Sequence, residues 1–92
     1  MAKYVMLGKY SVEGIKGISK ERTKKVTDEI KKAGGKVDAM YAMLGNYDLC
    51  FVVDFPGNAE AMKTSVNIAK ATGIGFRTLP AISAEEFDRI VE

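Results

Sequence analysis

A turn at Gly45, Asn46 and Tyr47 separates two apolar, strand-like runs, residues 37–44 and 48–55, and nothing else in the chain constrains the fold as much. Glycine and asparagine accept the positive φ that tight turns demand, so the two runs form a hairpin at mid-chain. The sequence on either side of that hairpin has the same order of elements, so it reads as two similar halves.

In the first half, Tyr4 through Tyr10 is rich in strand formers and too short for a helix core. A loop with Gly14 and Gly17 follows, with room for one helical turn. Ser19 as N-cap and Gly34-Gly35 at the far end bound a helix over roughly residues 20–33. Its apolar stripe is thin: Val26, Ile30 and Ala33, extended by Thr23 and Thr27. The second half begins at the strand of residues 48–55, which Pro56-Gly57 stops. Asn58 can cap a helix through Thr72, with Gly73 past its end and an inner face of Met62, Val66 and Ala69 flanked by Ala61 and Ser65. Residues 74–82 make the last strand, and Pro80 marks an edge. Ser83-Ala84-Glu85-Glu86 reads as a capping box before a short terminal helix carrying Phe87 and Ile90.

The order is βαβ–βαβ plus a terminal helix. Right-handed crossovers make this an α+β, ferredoxin-like βαββαβ sandwich over residues 1–92 as one domain, with the first and third strands central in an antiparallel four-stranded sheet. A chain of 92 residues suffices for one domain and not for two. The net charge of +2, with lysines interleaved among Asp and Glu, does not mark a nucleic-acid binder. Four-stranded RNA-binding modules share the topology, but the basic residue and glycine expected before their strand aromatics are missing here. Cys50 is the only cysteine, which rules out an internal disulfide. No apolar run reaches the roughly 18–20 residues of a membrane span, and Met1 leads directly into a strand, so the expectation is a soluble cytoplasmic protein without membrane or nucleic-acid partners.

Two helices can cover only one face of such a sheet, yet neither face reads as polar. The first strand divides into Val5 and Leu7 against Tyr4, Met6 and Tyr10. The third divides into Cys50 and Val52 against Leu49, Phe51, Val53 and Phe55. Whichever set meets the helices, the other leaves large apolar groups in water, at roughly 1.5–3 kcal/mol each. The simplest cover is the same sheet of a second copy, giving a homodimer or higher homo-oligomer with a dimeric α/β-barrel assembly and an internal space.

The chain has no histidine, which excludes Ser-His-Asp and Cys-His catalysis and argues against an ordinary zinc site. Cys50 reads as a small core residue, since no flanking cation is present to activate it. Asp48 has two readings: a carboxylate that bonds turn amides and ends the hairpin, or, with Tyr47, a ligand-holding group at the mouth of the space between sheets. In the second reading Asp48 is a candidate base and Tyr47 a donor. Tyr10 and Tyr41 either line the same space or pack an interface. The methionines, Met6, Met40, Met43 and Met62, are core or an adaptable wall. Arg77, in an apolar strand, either pairs with Asp48 or Asp54 or offers its guanidinium to an anion. Lys9, Lys16 and Lys20 near the first loop either add charge to that site or are simply solvated. The Gly14-x-x-Gly17 spacing lacks the remaining residues of a phosphate-binding loop.

Taken together, Tyr4-Val5-Met6-Leu7-Gly8-Lys9-Tyr10, Gly34-Gly35-Lys36-Val37, Leu44-Gly45-Asn46-Tyr47-Asp48, Val53-Asp54-Phe55-Pro56, Arg77-Thr78-Leu79 and Glu85-Glu86 resemble the GYD-domain family over nearly the whole chain. Asn46 separates Gly from Tyr, as in the looser Gly-x-Tyr-Asp form, and Asp54 stands where Glu is expected. The resemblance implies membership of the wider group of dimeric α/β-barrel proteins, which includes small-ligand sensors and cofactor-free oxygenases. It carries over no activity.

Three functions are open on these readings, and none implies a cofactor or a metal. The first is a non-enzymatic homo-oligomer that binds a small aromatic or anionic molecule between paired sheets, at Tyr10, Tyr41, Tyr47, Asp48 and Arg77. The second is a cofactor-independent oxygenase or isomerase in which Asp48 and a tyrosine move protons. The third is a purely structural self-assembly domain.

Overall fold

Strand formers give β1 its full length, Ala2–Tyr10, and two short helices follow it in the computed structural model, which describes residues 1–92. These are α1 (Val12–Lys16) and α2 (Lys20–Lys32). After them come β2 (Lys36–Ala42), β3 (Leu49–Phe55), α3 (Asn58–Thr72), β4 (Ile74–Ala81) and α4 (Ala84–Val91). The fold is α+β. The sheet runs β2-β3-β1-β4 with every neighbouring pair antiparallel, so β1 and β3 are central, an order compatible with the ferredoxin-like sandwich.

Local chemistry explains the boundaries. Ser19 Oγ accepts from the Arg22 N–H at 3.1 Å and Ser83 Oγ from the Glu86 N–H at 3.1 Å, so both serines cap as their positions predict. Gly34, at φ 82°, ends α2 in the left-handed conformation that a side chain resists. The Asn58 cap is corrected: Gly57 occupies the N-cap of α3 with no side-chain cap bond. Asn58 is instead the first helical residue, and its Oδ1 accepts from the buried Tyr4 hydroxyl at 2.6 Å, a partner that this hydroxyl needs once out of water.

The face of α3 is also corrected. Met62 and Val66 stand 69% and 52% exposed, while Ala61, Thr64 and Ile68 are buried. Small residues at this spacing let α3 approach the sheet, and the Ser65 and Thr78 hydroxyls meet at 2.6 Å in the contact. The core lies between helices and sheet. Tyr4, Met6, Phe51, Val53 and Phe55 meet Val26 and Ile30 of α2 and Ala61 and Ile68 of α3. Tyr4 and Phe55 pack edge to face at 5.8 Å between ring centroids. Gly8 is buried beneath the Phe76 ring, so close that a Cβ built on it would lie 2.6 Å from the nearest ring carbon.

Register then assigns the opposite face. Leu7 pairs with Cys50 and Arg77, Val5 with Val52 and Leu79, and Tyr41 with Cys50, so these side chains share the face away from the helices. Nothing in the chain covers them. The short dimension of the molecule is 18 Å, which fits two layers; a third would add about 10 Å. Cys50, read as a core residue, is free and half-buried on this open face.

Candidate functional site

The five candidate side chains do not form one site: strand alternation puts Tyr10 on the helix side of the sheet and Arg77 on the open face, and Asp48 is tied into the ladder between them. β3 begins at Leu49, and Asp48 prolongs the ladder beyond it from both its backbone and its side chain. Its N–H donates to the Gly8 carbonyl at 2.8 Å, and its Oδ2 accepts from the Tyr10 N–H at 2.9 Å. The carboxylate thus replaces the backbone acceptor that β1 lacks at its end. The Asp48 carbonyl accepts from the Met43 N–H at 2.8 Å and closes the hairpin, with Gly45 at φ 114° in the turn. Asn46 needs no positive φ, since glycines alone have it.

On one side of Asp48, Tyr10 lines a cavity of about 220 Å³ between the start of α2 and the sheet; Tyr41 also belongs to its lining, at the edge strand β2, although register turns its side chain to the open face. Its walls include Ile18, Val26, Met40 and Phe51. The Arg22 guanidinium lies over the Tyr10 ring at 5.1 Å and donates to the Gly14 carbonyl. Sequence reading missed Arg22, although its place in the first turn after the Ser19 cap fixed it near the end of β1. Of the other methionines, Met6 is buried in the core and Met62 lies outside on α3.

On the other side, Tyr47 and Arg77 line an open hollow of about 410 Å³ with Leu7, Lys9 and Asn46. Lys9 Nζ donates to the Asn46 carbonyl at 3.1 Å. Neither cation has a carboxylate partner, because Asp48 is tied to Tyr10 and Asp54 lies 3.2 Å from Lys3 Nζ instead. Lys16 pairs with Glu13 at 3.7 Å, outside the hollow, and Lys20 is exposed. Two unpaired cations beside a phenol hydroxyl attract an anion and can hydrogen-bond it.

At the opposite end of the open face, Lys3 bridges Asp38 and Asp54. Its hydrogen bonds, first to Asp38 and then to Asp54, raise its pKa above the ordinary 10.5, and the Lys3 hydrogen bond lowers that of Asp38 below 3.8. Asp38 occupies a register shift between Val37 and Ala39, a bulge that turns its carboxylate toward Lys3. No group of three His, Cys, Asp or Glu side chains converges on a possible metal position. No helix is long and apolar enough to cross a membrane. Among curated proteins compared with the chain, none matches. A family model described as GYD domain matches residues 4–91.

Proposed function

We infer the function from one premise: the chain belongs to the GYD domain family. It is a homo-oligomeric binding domain that pairs the open faces of its sheets and holds a small anionic molecule between them. One observation carries this reading. The open face is apolar through Val5, Leu7, Cys50, Val52 and Leu79 and ends in two cations without carboxylate partners, Lys9 and Arg77. Apolar area calls for a second surface, and the unpaired charge beside Tyr47 calls for an anion. A free thiol on the same face fits a reducing compartment such as the cytoplasm.

The proton-transfer alternative fits the geometry less well. Its base, Asp48, has one carboxylate oxygen committed to the Tyr10 amide and does not line the hollow that its neighbour Tyr47 shares with Arg77.

Native mass spectrometry of the wild type and Arg77→Ala tests the reading. A dimer or larger assembly is expected, with an added small-molecule mass that Arg77→Ala loses. A clean oligomer with no added mass supports self-assembly alone, and a monomer overturns the paired faces.

A further inference from the structure

The terminal helix α4 buries none of its residues. Phe87, Ile90 and Val91 recur at helical spacing on one side of it, 53%, 67% and 60% exposed. Glu85, Asp88 and Arg89 supply its polar side, with Glu86 at its border. An amphipathic helix of eight residues is too short to persist in water by propensity alone, so its apolar side must be covered by something. Its own chain offers little cover. Only Ile82 and Ser83 link β4 to α4, and Ser83 is fixed as the N-cap, so the helix leaves the sheet end in a set direction.

Surface area says how much cover the open sheet face and α4 lack together. A folded monomer of 10.0 kDa exposes about 5,200 Å² by the usual scaling, and this chain exposes 6193 Å², an excess of roughly 1,000 Å². A standard interface buries about 800 Å² per partner. The radius of gyration, 13.6 Å, likewise exceeds the roughly 12 Å expected for this length. Charge indicates what the helix meets. Four of the 12 acidic residues and one of the 14 basic ones lie in residues 83–92, so α4 is net negative and the rest of the chain net positive. Two α4 helices packed side by side would oppose like charges, whereas α4 on the body of another copy joins opposite ones.

We propose that α4 is an exchanged arm, whose Phe87, Ile90 and Val91 side packs on the body of a second copy of this chain and completes the assembly. The inference rests on the homo-oligomer proposed above, and it adds that face pairing without the arm is insufficient. In a two-fold dimer each copy gives one arm and receives one.

Sedimentation velocity over a concentration series tests it, on the wild type, on Phe87→Glu/Ile90→Glu and on Val52→Lys, with far-UV circular dichroism as the check of fold. The arm variant is expected to weaken the dimer by about a hundredfold or more, since two apolar contacts become buried charges. An unchanged dimer in the arm variant overturns the arm. If Val52→Lys alone dissociates, the paired faces stand without it; if only the arm variant dissociates, the arm stands and the paired faces fall. A monomeric wild type overturns both.

A second measurement needs no variant. Zero-length carboxylate–amine cross-linking of mixed isotope-light and isotope-heavy chains should join Glu85, Glu86 or Asp88 of one chain to lysines of the other. Cross-links confined to single chains overturn the proposal.

Discussion

At the scale of single residues, two side chains have roles that conditions or mutation can read out. The Asp48 carboxylate caps the end of β1 by accepting the Tyr10 amide. Asp48→Ala leaves that half-buried N–H without its partner and is expected to lower stability by about 1–2 kcal/mol in urea unfolding, while Asp48→Asn, which keeps an acceptor oxygen, costs less than half of that. Lys3 ties the opposite end of the sheet. The Asp38 contribution is present above the ordinary carboxyl pKa and lost as pH falls through the lowered folded value. The Lys3 contribution is present below 10.5 and lost as pH rises through the raised one. Lys3→Met should therefore track the wild type with a constant small deficit between about pH 5 and 9 in denaturation curves, and the deficit should close at both extremes. The role of Asp48 was half legible in sequence. A carboxylate beside a turn reads as a cap, but that it caps β1, far away in sequence, depends on strand pairing.

At the scale of elements, Gly8 shows why β1 can lie beneath β4's aromatic. The Phe76 ring occupies the volume that any Cβ on Gly8 would need, and the same ring packs on Phe51 at 5.3 Å. Gly8→Ala is expected to cost about 1–3 kcal/mol by overpacking, checked by thermal unfolding, and Gly8→Ala with Phe76→Leu should recover part of the loss. Element order was readable because each segment carries its own period and punctuation: alternation in the strands, capping serines, and glycines after the helices. The face of α3 was not readable. Met62 and Val66 are its most hydrophobic outward residues, and only the spacing between helix and sheet selects Ala61 and Thr64 in their place. The separation of the tyrosines was hidden for a related reason. The bulge at Asp38 breaks the alternation of β2, so Val37 pairs with the buried Val53 while Tyr41 shares the open face with Cys50. Nothing in the local sequence announces that shift.

At the scale of the whole molecule, a half-covered sheet and an unpacked helix make folding and assembly hard to separate. Only 13 of the 92 residues are buried, so in the assembly proposed above much of the stabilising burial would come from other copies. Midpoints of urea unfolding are accordingly expected to rise with protein concentration, by an amount set by mass action; a midpoint constant over a hundredfold range would contradict this. Assembly of the proposed kind carries a hazard, because a chain that associates with its own copies can also polymerise without end. The rim of the sheet counters it. β2 and β4 are the outer strands, one interrupted by the bulge at Asp38 and the other containing Pro80, which has no N–H to offer a docking backbone. In the proposed assembly these margins would favour stacking face against face over adding strand after strand, so the edges that disfavour amyloid-like growth are the ones that leave the broad surfaces free to associate.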